Sequence, residues 1–257
     1  MTPVAVNASL QSSDLIRSLG ILGMHVPASG GYDVAQTLSQ YINFLDAASL
    51  LQPTQQGGTL TAVAPNETPA RVGPAIRKEF DRLRAAAEFN ITQAGAIGQL
   101  GARLSLPVTH SQTSLDDAGS FAPYRKYHQA HQQNMELKVR ATRAKVREMV
   151  AKTSARLARL VALDVAFERI LTELEASRLN QVTVHLERRF ITLRDAHKRS
   201  IAGSPTADHV NLWLAPTGWL TRFHQDLQVI LCHELDLRLQ PSLGLIEAYE
   251  AETKVQT

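Results

Sequence analysis

The sequence predicts an all-α protein of amphipathic helices packed as a bundle. Three observations carry this. Apolar residues recur at three–four spacing in nearly every patterned segment, which is the helical period. From Tyr124 to Ala202 there is neither proline nor glycine, so no strong breaker interrupts that period. No run alternates apolar and polar residues for more than a few positions, as a half-buried strand requires. The composition agrees: of 257 residues, 44% are hydrophobic, 20% charged and 5% aromatic, which suits a folded chain with a mostly aliphatic core.

The elements follow in order. Ser13 can cap a short helix with Leu15, Ile16, Leu19 and Leu22 on one face, and Pro27, Gly30 and Gly31 mark a turn after it. A helix over about Asp33 to Leu51 carries only Asp33 and Asp46 as charges, so more than one of its faces should be covered. These N-terminal helices occupy 1–52. Residues 53–73, rich in Gly, Thr, Gln and Pro, read as a linker. The main helical domain is then 74–257. It opens near Pro74, well placed in a first turn, with Ile76, Phe80, Leu83, Ala87 and Ile91 on one side. Gly95, Gly98 and Gly101 follow, and then a loop to Pro123. The glycine run lacks both a preceding strand and the Gly-Lys-Ser/Thr ending of a phosphate loop.

Residues 124–200 form the long central region. Val139, Val146, Met149, Val150, Leu157, Leu160, Val161, Phe167, Leu171 and Leu174 keep the spacing. After a slip of register it resumes at Leu179, Val182, Leu186, Phe190 and Leu193. One helix of 77 residues would span roughly 115 Å. A long helix, pairing with a second copy as a coiled coil, is one reading; a helical hairpin turning near Ser177–Gln181 is the other. The period leaves both open, and with them the oligomeric state. A loop over Ala202–Pro216 holds Leu212, Trp213 and Leu214. The last strong helix, about Trp219 to Leu239, should end before Pro241, which can open a terminal helix with Leu243, Leu245, Ile246 and Tyr249.

Charge is unevenly placed. Residues 124–200 hold 17 basic and 8 acidic side chains, while the rest of the chain is net acidic. Lys138, Arg140, Arg143, Lys145, Lys152, Arg156 and Arg159 are the candidate binding residues. On a single helix Lys138, Lys145, Lys152 and Arg159, seven apart, would form one stripe. Such a stripe can dock on an acidic protein or neutralise phosphates. Between Lys138 and Arg159 there is no aromatic, Asn or Gln to read bases, so nucleic-acid binding by it should be weak and sequence-independent.

No catalytic set is visible. His128 and His131 share a helix face, but no third ligand is evident and the neighbouring Gln129, Gln132, Gln133 and Asn134 suggest a polar surface, so no metal or other cofactor is expected. His224 and Cys232 lie in a leucine stripe that favours a structural role. Cys232 is the single cysteine, which excludes an intramolecular disulfide. No apolar run approaches the ~18–20 residues of a membrane span, and no basic residue precedes Arg17 as in a signal peptide, so a cytoplasmic location is expected.

The segment Trp219-Leu220-Thr221-Arg222-Phe223, with His233-Glu234-Leu235-Asp236-Leu237-Arg238-Leu239-Gln240-Pro241 and Gly244-Leu245-Ile246-Glu247-Ala248, resembles a proteobacterial family of unknown function. The resemblance extends from the Asp33 helix to the C-terminus. Genes of that family lie beside ones for stator-like membrane channels and outer-membrane-anchoring domains. That implies a cytoplasmic accessory of an envelope complex and identifies no catalytic residue. The expected function is a non-enzymatic helical adaptor or scaffold with a protein partner; nucleic-acid binding through 138–159 is the alternative.

Overall fold

In the computed structural model, residues 69–93, 106–107, 120–202 and 208–255 are described. The two N-terminal helices and the glycine run expected from the sequence lie outside them, as do residues 53–68 of the linker. Five helices are described: α1 (Pro69–Gln93), α2 (Ala122–Ala151), α3 (Ala155–Ser200), α4 (Val210–Trp213) and α5 (Trp219–Val255). No strand occurs among the described residues. The protein is an all-α bundle.

Helix α1 begins five residues before Pro74, at another proline, a residue whose missing N–H costs nothing in a first turn. Helix α2 begins at Ala122, where the Ser120 hydroxyl accepts from the Ala122 N–H and the Phe121 carbonyl from Arg125.

The central region is a hairpin, and its turn is not where the register slips. The chain turns at Lys152, Thr153 and Ser154. The Thr153 N–H donates to the Val150 carbonyl at 3.2 Å, closing α2. The Ser154 hydroxyl then accepts from the Leu157 N–H at 3.1 Å, an N-cap bond that starts α3. Two hydroxyl residues thus break the helix without proline or glycine. Near Ser177–Gln181 the helix continues unbroken. The described helices divide into two units, and on α3 the boundary falls at that point, between Arg178 and Leu179.

One unit, here the aromatic unit, takes helical residues 87–93, 122–135, 179–200, 210–213 and 219–237. Its core stacks Phe121, Tyr124, Phe190, Trp219 and Phe223 with ring centroids 5.1–6.2 Å apart, mostly tilted or edge-on as aromatic quadrupoles prefer. Asp208 accepts from Trp213 Nε1 at 2.6 Å and pairs with His197 Nε2 at 2.9 Å, tying α4 to α3. Gly218, before α5, lies against the Trp213 and Leu212 carbonyls; a Cβ there would come within 2.1 Å of the first.

The other, the turn unit, takes helical residues 69–86, 136–151, 155–178 and 238–255. Ile76, Phe80, Val146, Val150, Leu157 and Ile246 are buried in it. Arg77 grips the Glu250 carboxylate with two bonds of 3.0 Å, joining α1 to α5. Leu160, expected on the apolar stripe, is 37% exposed, whereas Leu157 and Val161 are buried. With a new helix phase starting at Ser154, the inner face passes through Leu157 and Val161 and leaves Leu160 outside. The side chains of Leu171 and Leu174 are outside the described set.

Pro241 does not end the last helix: α5 runs through it from Trp219 to Val255. An interior proline removes one backbone bond and costs about 3 kcal/mol. Continuing the helix buries Ser242, Leu245, Ile246 and Tyr249, each no more than 3% exposed. At about 1.5–3 kcal/mol for each large apolar side chain, that burial outweighs the break.

Candidate functional site

The densest polar chemistry in the aromatic unit is buried. His128 and Gln132 lie four residues apart on one face of α2; Thr183 comes from α3 and Glu234 from α5. Both His128 and Glu234 are 0% exposed and Thr183 is 8% exposed. Glu234 Oε1 lies 2.8 Å from His128 Nε2, and its Oε2 accepts from Gln132 Nε2 at 2.8 Å. His128 Nδ1 lies 3.1 Å from the Thr183 hydroxyl. With Nε2 donating to the carboxylate, Nδ1 is left to accept the Thr183 O–H. Each polar atom of the imidazole and each carboxylate oxygen therefore has a partner. The set joins α2, α3 and α5, and its burial demands this closure because an unpaired buried charge is costly.

This corrects the expectation of a polar surface around His128 and His131. Both are buried, and the His131 ring packs 4.5 Å from that of Tyr127. Burial pushes the Tyr127 hydroxyl well above its ordinary range. No group of three His, Cys, Asp or Glu side chains placed to hold a metal occurs among the described residues. His224 and Cys232 have separate surroundings. His224 Nε2 pairs with the Tyr124 hydroxyl at 3.1 Å, and burial pushes the ring down to about 4. Burial, with Glu88 and Asp236 nearby, pushes the Cys232 thiol up to about 11, so little reactive thiolate forms at neutral pH.

The sequence carried a signal for the network that the helical period alone did not interpret. Glu234 sits between Leu231 and Leu235 on the apolar face of α5, one step from Ile230. A carboxylate on such a face needs a buried donor, and His128 and Gln132, four apart, supply two.

In the turn unit the basic residues split into two groups. Arg143 and Arg147 turn inward to α3. Asp164 accepts from Arg143 Nε at 3.0 Å and Arg147 Nε at 2.7 Å, and Arg147 Nη1 reaches Glu168 at 2.6 Å. Arg143 is only 11% exposed at its side chain, so its charge is spent inside the hairpin. The others face out. Arg140 pairs with Glu136 and Lys152 with Glu148, each four residues along the chain. Lys145, Arg156 and Arg159 are exposed and Lys138 is half-buried. The single stripe through Lys138, Lys145, Lys152 and Arg159 does not form, because the turn puts the first two on α2 and Arg159 on α3. Elsewhere on α5, Asp226 pairs with Arg189 and Glu234 with His128.

No helix among the described residues is long and apolar enough to cross a membrane. The class defined by these features is a helical-hairpin bundle whose polar clusters lock helices together. The chain belongs to the family described as "Protein of unknown function (DUF3348)", whose model matches residues 1–251. No curated protein and no solved structure matches it.

Proposed function

We propose that the protein is a non-enzymatic helical adaptor or scaffold whose ligand is another protein. The observation that carries this is the closure of the Thr183–His128–Glu234–Gln132 network. Its imidazole and carboxylate, the groups best suited to acid–base work, are 0% exposed and bonded to the protein on every polar atom, which serves architecture rather than turnover. The exposed helix faces, with their basic residues, are then the working surface. The resemblance noted above points to a cytoplasmic accessory of an envelope complex as its setting. Nucleic-acid binding is less favoured, since the turn at Lys152–Ser154 divides the basic stripe, and Arg143 and Arg147 of the same region are spent on Asp164 and Glu168. The test is affinity capture from native cells at ~150 mM salt, with and without nuclease. A stoichiometric protein partner that survives nuclease is the expected result. Recovery of nucleic acid alone would overturn the reading.

A further inference from the structure

The outward face of α2 in the turn unit has an order that the charge count conceals. Leu137, Ala141, Ala144 and Glu148 follow one another at spacings of four, three and four, which is the seam of a helix that meets another helix along its length. All four are exposed, and Leu137 is 68% exposed, the most of any large apolar side chain among the described residues. One edge of this seam carries Lys138 and Lys145, and the other carries Arg140. The heptad spacing of the lysines is therefore the flank position of a helix–helix contact. Lys138 and Lys145 make no ion pair among the described residues. The Arg140–Glu136 pair is exposed on both sides, and a solvent-exposed pair of that kind is too weak to hold either partner against a better one.

We infer that the face Leu137–Glu148 of α2 docks an amphipathic α-helix of a partner protein whose flanks are acidic. This rests on the adaptor reading and adds the chemistry of the partner. Charge complementarity selects the occupant. A second copy of the same face would set lysine against basic residues in either orientation, a repulsion that coiled-coil flanks use to reject partners. A nucleic acid would use the charge but leave Leu137 in water, and no aromatic side chain stands on the face to stack a base. An acidic-flanked helix covers Leu137 and, over the small Ala141 and Ala144, comes near the ~8 Å end of helix packing distances.

The experiment uses the full chain and three probes: a synthetic amphipathic peptide of about 28 residues with leucine at its seam and glutamate on both flanks, its counterpart with lysine flanks, and duplex DNA. The acidic-flanked peptide should bind at ~150 mM salt at least about tenfold tighter than the lysine-flanked one. Lys138→Glu/Lys145→Glu should reverse that preference, and Leu137→Asp should weaken both peptides about tenfold or more. Thermal melts of the variants should match the parent, since the three residues lie outside the core. Failure of the acidic peptide to bind, or binding that ignores the charge reversal, overturns the assignment of this face. So does DNA binding that is tighter than peptide binding and lost in the same variant. A nuclease-resistant partner captured equally by the parent and the reversed variant would leave the adaptor reading standing and remove this face from it.

Discussion

The two polar clusters bridge the same pair of helices by different physics. In the aromatic unit, His128, Thr183, Glu234 and Gln132 join α2, α3 and α5 with every charge out of water. In the turn unit, Arg143 and Arg147 grip Asp164 and Glu168 across α2 and α3, with side chains 11–32% exposed. The first set is costly to assemble and more costly to break, because each partner left behind is a buried unpaired group. The second keeps part of its hydration and holds through geometry, with planar guanidinium forks against carboxylates. The first specifies which faces may meet; the second clamps a hairpin whose register the turn has already set.

The sharpest way to break this comparison is to remove Glu234. Glu234→Leu should cost about 3–5 kcal/mol, since His128 and Gln132 lose their acceptor in a site without solvent. Adding His128→Leu should recover part of that loss, because two apolar groups bury more cheaply than one orphaned imidazole. Urea unfolding of the three proteins checks both statements. A loss below about 1 kcal/mol for Glu234→Leu would mean that the network carries little.

The clamp should answer more softly and respond to salt. Asp164→Ala leaves two guanidiniums facing one remaining carboxylate and should cost about 2–3 kcal/mol. The parent's advantage over this variant should shrink between ~50 mM and ~1 M salt, since partly exposed pairs are screened. The effect of Glu234→Leu should hardly change over that range. Equal salt dependence of the two would erase the distinction drawn here.

What the sequence made legible follows the same division. Apolar periodicity located the inner faces: Val139, Val146, Val150, Leu186, Phe190, Phe223 and Leu227 are all buried. It misplaced the turn because Thr153 and Ser154 end one helix and cap the next with hydroxyls, a signal weaker than glycine or proline and set inside a basic run. It misread Pro241 because a local breaker rule carries no information about the apolar surface beyond it. The polar clusters were the least legible. Asp164 lies 21 residues from Arg143, and Glu234 lies 106 from His128. Spacing arguments see neighbours one or two helical turns away, whereas these partners meet only after separate helices have packed.

A third polar pair sharpens the comparison through pH. His224 in the aromatic unit has its pKa pushed down to about 4 by burial, against an unfolded value near 6.5. Between these values the unfolded chain binds the proton and the folded one does not, so acid favours unfolding. Stability should be unaffected by this group above pH 6.5 and fall as pH drops from there towards 4, by up to about 2 kcal/mol at pH 5. His224→Phe keeps a ring packed against Tyr124 and should flatten that part of the profile. A profile equally steep in His224→Phe would assign the acid sensitivity elsewhere.

The smallest expected effect concerns what neither cluster supplies. The second half of α5 holds both Pro241 and Gly244, the two residues least suited to a helix interior. Proline's position is fixed by the helix it interrupts, but Gly244 is exposed, and a Cβ built there meets nothing within 4 Å. The glycine therefore serves no close approach, and its backbone freedom in the unfolded chain is a plain cost. Gly244→Ala should raise stability by about 0.5–1 kcal/mol. The gain should persist unchanged in Asp164→Ala, because the clamp's ion pairs lie on α2 and α3 while Gly244 lies on α5. A gain that vanished in the Asp164→Ala background would show that the clamp and the α5 segment unfold as one coupled element, and that the turn unit is held by more than its separate contacts.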